Sequence, residues 1–236
     1  MFRVRPADER GRSEHDWLDS RHTFSFADYH APAHMGFGVL RVLNDDRVEP
    51  ARGFGTHPHR DMEIISYVVE GALEHGDSMG NGSVIRPGDV QRMSAGTGVL
   101  HRELNPSKTE RVRFLQIWIV PERRGLEPGY EQRAFPASER RGEWRLVASR
   151  DARDGSLTVH QDASMYSTLL EPGERVSFPL REGRAAWLQV VRGRVTAGDH
   201  ALAEGDGAAV TNESEVVIEA TDASELLLFE LASPPS

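Results

Sequence analysis

Short apolar runs separated by turn residues dominate the pattern of hydrophobic and polar positions along this chain. The runs are rich in β-branched and aromatic residues and are bounded by Gly, Pro, Asp and Asn: "FGVLRVLNDD", "EIISYVVEG", "SVIRPGD", "VRFLQIWIVP", "AAWLQVVRG", "EVVIEA" and "ELLLFEL". Helical periodicity is scarce, and only "HDWLDS" and "SERRGEW" are candidates for short helices. Many short strands with frequent turns predict an all-β protein, built as an antiparallel barrel or sandwich.

A weak internal repeat divides these strands between two halves. "SYVVEGAL" at 66–73 resembles "LQVVRGRV" at 188–195, and "VIRPGDVQRM" at 84–93 resembles "ALAEGDGAAV" at 201–210. Each half therefore has the same order of strand, glycine turn, strand, Gly-Asp turn and strand.

The connection between the halves lies at about 121–145, in "PERRGLEPGYEQRAFPASERRGEWR". This stretch is rich in Pro, Gly and charged residues, as connecting segments are. We therefore predict two similar β-barrels in tandem, an N-terminal barrel over residues 1–130 and a C-terminal barrel over residues 131–236.

Composition and charge limit the cellular location and the classes of binding partner that we expect for this protein. The chain has no cysteine, which excludes disulfides and thiolate metal sites. Its start, "MFRVRPADERGRSEHD", has charges where a signal peptide needs an apolar region, and its densest apolar run, "ELLLF", is too short to span a membrane. A net charge of −9 argues against a broad nucleic-acid-binding surface. We expect a cytoplasmic protein with no direct nucleic-acid partner and no membrane partner.

Two pairs of candidate metal ligands lie in the first half. "GTHPHRDME" contains His57 and His59, and "GTGVLHRELN" contains His101 and Glu103. Residues two apart on a strand point to the same face, so each pair can present two ligands together. Three neutral imidazoles and one carboxylate suit a divalent transition metal and leave positions open for water or substrate. Strand alternation also allows Glu63 as the carboxylate ligand.

The second half lacks these ligands. The repeat places the corresponding positions near "SFPLREG" at 177–183 and "VVIEA" at 216–220, and neither stretch contains a histidine. We therefore expect one metal ion per chain, in the N-terminal barrel, and a C-terminal barrel without a metal site.

The other histidines have simpler interpretations. We expect His22 and His30, in "HTFSFADYH", to pack or hydrogen-bond in the core. His75 either contacts the metal ligands or is a structural histidine, and His160 has no evident partner. The remaining ones are expected to be solvated: His15, His34 and His200.

The two histidine motifs, with "VVEG" and "RPGD" between them, resemble the two motifs of the cupin superfamily. More narrowly, the chain resembles the pirin family of bicupins, which includes bacterial pirin-like quercetin 2,3-dioxygenases. Further phrases carry the resemblance: "HTFSFADYH", "EHGDSMGNGSVIRPGDVQRMSAGTGVLHRE", "EPGYEQRAF" and "RDGSLTVHQDASMY". The resemblance implies two tandem cupin barrels of jelly-roll type, the second one degenerate.

The resemblance also implies which carboxylate binds the metal. Most cupins take it from the first motif, here Glu63, whereas pirins take it from the second, here Glu103. The implied ligands are therefore His57, His59, His101 and Glu103, around one divalent transition metal. We expect Glu103 to act in addition as the catalytic general base. Iron is the preferred metal, with copper, nickel, cobalt, manganese and zinc as alternatives, because nitrogen and oxygen ligands accept them all.

Similarity to pirin-like quercetinases implies a metal-dependent dioxygenase. Its substrates would be dioxygen and a flavonol such as quercetin, or a related enol, and opening of the heterocyclic ring would release carbon monoxide. Pirins have also been described as transcription cofactors and redox sensors. The alternative is therefore a non-catalytic, metal-dependent regulator or redox sensor that acts through a protein partner.

Overall fold

The computed structural model describes residues 1–233, and strands account for most of them. The strands are β1 (Phe2–Arg5), β2 (Gly11–His15), β3 (Leu18–His22), β4 (Leu40–Val48), β5 (Gly53–His59), β6 (Glu63–Glu70), β7 (Leu73–Asp77), β8 (Gly82–Ile85), β9 (Asp89–Ser94), β10 (Val99–Leu104), β11 (Val112–Ile119), β12 (Gly129–Ala134), β13 (Arg145–Ser149), β14 (Leu157–Thr158), β15 (Ala163–Leu170), β16 (Arg175–Pro179), β17 (Arg184–Arg192), β18 (Arg194–Ala197), β19 (His200–Ala203), β20 (Gly207–Val210), β21 (Glu215–Ala220) and β22 (Ser224–Ala232). Short 3-10 helices lie at Ala7–Glu9, Pro32–His34, Ala137–Glu139 and Arg153–Gly155. The predicted all-β class is confirmed.

Helices are short throughout the part of the chain that the structure describes. No helix there is long and apolar enough to cross a membrane. The helix considered for "HDWLDS" is wrong, because this stretch forms the end of β2, a tight turn and the start of β3. Leu18, Ser20 and His22 are buried in alternation along β3, which is the period of a strand and not of a helix.

Contacts divide the chain into two compact units. The N-terminal unit contains residues 11–134 and 157–161, and the C-terminal unit contains residues 1–10, 135–156 and the chain from Asp162 onward. The predicted boundary between residues 130 and 131 differs from this division mainly at the N-terminus. The first ten residues belong to the C-terminal unit because β1 pairs along its whole length with β20.

The N-terminal unit is built from two antiparallel sheets. The larger has the strand order β12-β9-β6-β11-β4-β3-β2, and the smaller has the order β5-β10-β7-β8. A buried apolar cluster contains residues from both sheets, among them Val68 and Phe114 from the larger and Leu73 and Ile85 from the smaller. Burial of these side chains holds the two sheets together.

The C-terminal unit repeats the arrangement. Its larger sheet contains six strands of this unit in the order β1-β20-β17-β22-β15-β13, and its smaller sheet has the order β16-β21-β18-β19. Its core is again apolar and includes Phe178, Leu188, Ile218 and Leu228.

Matching glycine turns show the internal repeat in the structure. Gly71 follows β6 and Gly193 follows β17, with φ of 74° and 82° respectively. A Cβ at either position would collide with a carbonyl oxygen, that of Arg111 or that of Ala223. Only glycine combines an easily adopted positive φ with the absence of a Cβ atom, so each half has glycine at the same place in the hairpin.

A buried ion pair joins two central strands of the N-terminal unit. Arg113 on β11 donates from Nε and Nη2 to the two carboxylate oxygens of Asp45 on β4, each at 2.9 Å. Both side chains are at least 94% buried. Such a pair contributes little net stability over an apolar substitute, but removal of one partner leaves an uncompensated buried charge.

We therefore predict that Asp45→Asn lowers the free energy of unfolding by about 3 kcal/mol. Urea denaturation of the metal-free protein measures it. Arg102→Ala, which breaks an exposed 3.5 Å contact with Glu74, serves as the control and should cost less than about 1 kcal/mol. Equal losses in the two variants would contradict the account of the buried pair.

Candidate metal centre

Three histidine side chains converge on one face of the smaller N-terminal sheet. β5 and β10 pair antiparallel with His101 opposite His57 and Val99 opposite His59. The ring centroids lie 4.4 Å apart for His57 and His101, and 4.8 Å apart for His59 with each of the other two. The structure thus brings the three predicted histidine ligands into one triangle.

Hydrogen bonding fixes the proton on His57. Its Nδ1 lies 2.7 Å from the carbonyl oxygen of Gly55, which can only accept, so Nδ1 carries the hydrogen. Its Nε2 then presents a lone pair, 3.0 Å from Nε2 of His101. A backbone contact of this kind commonly fixes the tautomer of a metal-binding imidazole.

Burial keeps two of the imidazoles neutral. Desolvation, together with the nearby His57, lowers the pKa of His59 to about 4 and the pKa of His101 to about 3. Neutral imidazole is the form that binds a metal ion, so protons do not compete for these two rings near neutral pH.

The carboxyl group of Glu103 lies in the same barrel and is fully buried. A register shift in the β5–β10 pairing falls between His101 and Glu103. Oε1 of Glu103 accepts from Ser66 Oγ at 2.9 Å, and Oε2 accepts from Gln116 Nε2 at 2.6 Å. Burial raises the pKa of Glu103 to about 7, although both hydrogen bonds act to lower it. A positive ion beside this group would stabilise its charged form.

Two overlapping groups of donor atoms could hold a metal ion. The ligand atoms of His57, His59 and His101 lie within 4.8 Å of one another, and so do those of His75, His101 and Glu103. His101 belongs to both groups, and its buried Nδ1 has no hydrogen-bond partner among the described residues. A set of imidazole nitrogens with one carboxylate fits a divalent transition metal such as iron or nickel.

Glu63, the alternative carboxylate, is engaged elsewhere. Its Oε2 accepts from Ser94 Oγ at 3.0 Å and from the backbone N–H of His160 at 3.2 Å. It belongs to neither donor group within residues 1–233. His160, for which the sequence offered no partner, thus holds Glu63 in place.

His75 packs behind the triangle. Its ring lies between those of Tyr130, at 4.9 Å, and His101, at 5.5 Å, and its Nε2 is 3.2 Å from Oδ2 of Asp77. Desolvation lowers its pKa, against the hydrogen bond with Asp77. His75 therefore contacts a candidate ligand while one of its nitrogens is already occupied.

A pocket opens beside the triangle and has aromatic walls. His57, His59 and Glu103 line it together with Phe26, Phe54 and Trp118. Trp118 meets His59 edge-on at 5.0 Å and Phe26 edge-on at 5.4 Å. Walls of this kind suit a flat aromatic ligand.

The remaining wall is polar and was not predicted from the sequence. It consists of side chains on β3, β4 and β11, which we call the polar strip: Ser20, His22, Asn44, Asp46 and Gln116. The strand register places Ser20 opposite Asp46, and His22 opposite Asn44, which in turn is opposite Gln116. The available signal was the polar run "NDDR" inside the apolar stretch "VLNDDRV", because strand alternation puts Asn44 and Asp46 on the same face.

Comparison with known proteins identifies the family. The pirin family model matches residues 3–119, and the model of the quercetinase C-terminal cupin domain matches residues 146–231. The quercetin 2,3-dioxygenase of Escherichia coli K12 is 51% identical over 235 residues, which cover 100% of both chains. The chain belongs to the pirin family.

Solved pirin structures share the fold. The crystal structure of YhhW from E. coli superposes with a TM-score of 0.96 at 50% identity, over 100% of both chains. Its complex with nickel(II) gives 0.94 at 50% identity, over 99% of this chain and 100% of that one. A quercetin 2,3-dioxygenase from Acinetobacter baumannii, 21% identical over 98% of this chain and 85% of that one, has a TM-score of 0.76 and supports the fold. The predicted bicupin architecture is confirmed.

Several histidines of this pirin lie outside the triangle. His22 is buried and bonds Ser13 and Asn44, as expected, whereas His30 is exposed and the expectation of a core position for it is wrong. His30 lies in the loop after β3, where the chain has left the sheet. Both donor groups lie in the N-terminal unit.

We predict that His101→Ala lowers metal occupancy at least tenfold, whereas His75→Ala lowers it by less than about threefold, because His75 makes no hydrogen bond to a predicted ligand within residues 1–233. His101 belongs to both donor groups, while His75 already contacts Asp77. Elemental analysis of tag-free protein measures the occupancy, which should approach one ion per chain in the wild type. Comparable losses in both variants would mean that His75 is itself a ligand.

A second prediction concerns Asp46. Burial raises its pKa from 3.8 to about 7, against the hydrogen bond from Ser20. The folded protein therefore holds a proton that the unfolded chain releases, and the associated stability is lost as pH rises from about 4 to about 7. Asp46→Asn removes this loss. Between pH 4.5 and pH 8, the variant should gain about 3 kcal/mol of unfolding free energy relative to wild type in the metal-free form. A difference in unfolding free energy between variant and wild type that does not change with pH would contradict the raised pKa of Asp46.

Proposed function

We propose that this pirin is a metal-dependent dioxygenase that opens the heterocyclic ring of a flavonol such as quercetin and releases carbon monoxide. One observation carries the proposal: three imidazoles and a buried carboxyl group line the same aromatic-walled pocket or adjoin it. The E. coli relative named quercetin 2,3-dioxygenase supports it over the full length of the chain. Flavonol and dioxygen together supply all the atoms of the ring-opened ester and carbon monoxide, so no external reductant is needed.

The proposed ligands are His57, His59, His101 and Glu103, holding one divalent metal. When bound, the metal supplies a Lewis acid that stabilises the anionic oxygen of an enolate. The sequence favoured iron as the metal. The nickel(II) complex of the E. coli pirin supports nickel as an alternative. The donor set accepts either metal.

Glu103 is the proposed general base. In the metal-free protein, burial raises the pKa of Glu103 to about 7. A bound metal ion would lower that pKa, but it would also acidify a hydroxyl group bound to the same ion, so the carboxylate can still take the proton in a cytoplasmic enzyme, the location we propose. Ser66 and Gln116 hold one carboxylate oxygen each, which fixes the group in position without protonating it. The proton of the enolic hydroxyl would pass to one of these oxygens as the flavonol binds.

The pocket walls would bind and orient the substrate. Phe26, Phe54 and Trp118 offer apolar faces and edges to a flat ring system. Rings packed against them exclude water from the space between the histidine triangle and the polar strip. Exclusion of water strengthens the electrostatic interactions of Glu103 and protects a reactive enolate from hydration.

Oxygen uptake with quercetin tests the proposal. Metal-free protein is reconstituted separately with iron, nickel, cobalt, manganese, copper and zinc, and both oxygen consumption and carbon monoxide release are recorded. We expect one carbon monoxide per dioxygen with at least one metal. Oxygen uptake without carbon monoxide, or no uptake with any metal, would overturn the proposed reaction and favour a regulator that acts through a protein partner.

We predict that Glu103→Gln retains appreciable metal but lowers turnover per bound metal by about 10²- to 10⁴-fold, because the amide keeps an oxygen ligand and loses its basicity. Glu63→Gln is the matched control. It makes the same change in a buried carboxyl group that contacts Ser94 and His160. We expect at most about a tenfold decrease for Glu63→Gln.

The decisive measurement is turnover divided by bound metal for the two variants. If Glu63→Gln is inactive and Glu103→Gln turns over normally, the carboxylate comes from the first motif, as in most cupins. The assignment of Glu103 would then be wrong.

A further inference from the structure

The pocket contains a second buried carboxyl group that the proposed reaction does not use. Asp46 lies on β4 opposite Ser20 on β3, and both side chains line the pocket wall with Glu103. Asp46 is 3% exposed, and Glu103 is close enough for its charge to disfavour ionisation of Asp46. Two buried carboxyl groups in one pocket are costly unless each is hydrogen-bonded or protonated.

Asp46 has unused capacity to accept hydrogen bonds. Ser20 Oγ donates to Oδ1, and this is the only side-chain hydrogen bond that the carboxyl group receives within residues 1–233. The adjacent Asp45 differs, since both of its oxygens accept from Arg113. A buried carboxylate with one donor is poorly solvated, and a second donor would stabilise it.

A second unused acceptor lies on the same polar strip. Gln116 donates through Nε2 to Glu103, while its Oε1 is buried without a partner among the described residues. His22 is already satisfied, because its two ring nitrogens contact Ser13 and Asn44. Asp46 and Gln116 therefore each offer an unused acceptor, which a ligand with hydrogen-bond donors would satisfy.

We propose that Asp46 is a specificity-determining residue: it accepts a hydrogen bond from a hydroxyl group of the substrate other than the enolic hydroxyl that meets Glu103. The inference rests on the proposed function and narrows the substrate class to aromatic enols with additional ring hydroxyl groups. A substrate without such a hydroxyl leaves Oδ2 of Asp46 buried without a donor, and a site built for hydrogen bonding rejects such a substrate strongly.

A comparison of two flavonols distinguishes recognition of a ring hydroxyl group by Asp46 from a general contribution of Asp46 to binding. Quercetin has ring hydroxyl groups in addition to the enolic one, whereas 3-hydroxyflavone has the enolic hydroxyl alone. We expect metal-loaded wild type to prefer quercetin in kcat/KM by about 100-fold or more. Asp46→Asn should lower kcat/KM for quercetin by about tenfold, and Asp46→Leu by about 100-fold. For 3-hydroxyflavone, Asp46→Asn should change kcat/KM by less than about threefold, whereas Asp46→Leu should raise it, because the unsatisfied carboxylate oxygen is gone.

Asp19→Asn is the matched control. The change neutralises a carboxylate on β3, one residue before Ser20. The Asp19 side chain contacts Arg21 and does not line the pocket. The variant's kcat/KM for both flavonols should equal that of wild type within about twofold, since Asp19 makes no hydrogen bond with the described residues of the strip and its charge is only a minor cause of the raised pKa of Asp46.

Binding to the metal-free protein provides a second readout that is independent of turnover. Trp118 lines the pocket, so quenching of tryptophan fluorescence reports on flavonol binding. Asp46→Asn should raise the Kd for quercetin about tenfold and leave that for 3-hydroxyflavone unchanged. This result without turnover by wild type would support the specificity role while the proposed reaction fails.

Two outcomes would overturn the inference. One is an equal effect of Asp46→Asn on both flavonols, or no effect on either, in a variant whose circular dichroism matches wild type. The other is no binding of either flavonol to wild type, which would overturn the inference and weaken the proposed function together.

Discussion

The site depends on the antiparallel pairing of β5 with β10. This pairing sets His101 opposite His57, and strand alternation brings His59 to the same face. A shift of one residue in the register would turn these side chains away from one another. The hydrogen bond from His57 Nδ1 to the carbonyl oxygen of Gly55 fixes the tautomer of His57, and burial keeps His101 neutral. A metal ion requires both of these protonation states. Ligand geometry and ligand chemistry therefore both follow from one strand pair.

Burial connects the remaining features of the pocket. The larger sheet supplies a mostly apolar interior, and the few polar groups inside it carry large energetic consequences. Glu103 and Asp46 each have a pKa raised to about 7 by desolvation, yet they differ in hydrogen bonding. Glu103 has a donor for each oxygen, whereas Asp46 has Ser20 alone. The same environment can thus make one carboxyl group a base and leave the other to recognise a ligand.

Local sequence patterns predicted the fold class, the repeat and the three histidines, because each depends on spacing within one strand or turn. The polar strip was missed because its members come from three strands whose register is set by the whole sheet. Asp46 looks like an ordinary turn residue in "LNDD", and only pairing with β3 shows that it faces inward. The N-terminal boundary was missed for the same reason, since no local pattern indicates that residues 2–5 pair with residues 207–210.

That pairing has a consequence for synthesis on the ribosome. β1 is the edge strand of its sheet, and the strand it pairs with, β20, is translated some two hundred residues later. Apart from residues 157–161, every residue of the N-terminal unit precedes position 135. Most of that unit can therefore fold before β20, the partner strand of β1, has been synthesised. The exposed edge groups of the nascent segment are free to pair with other chains during this interval. Chaperone contact with the emerging chain would therefore matter most at β1.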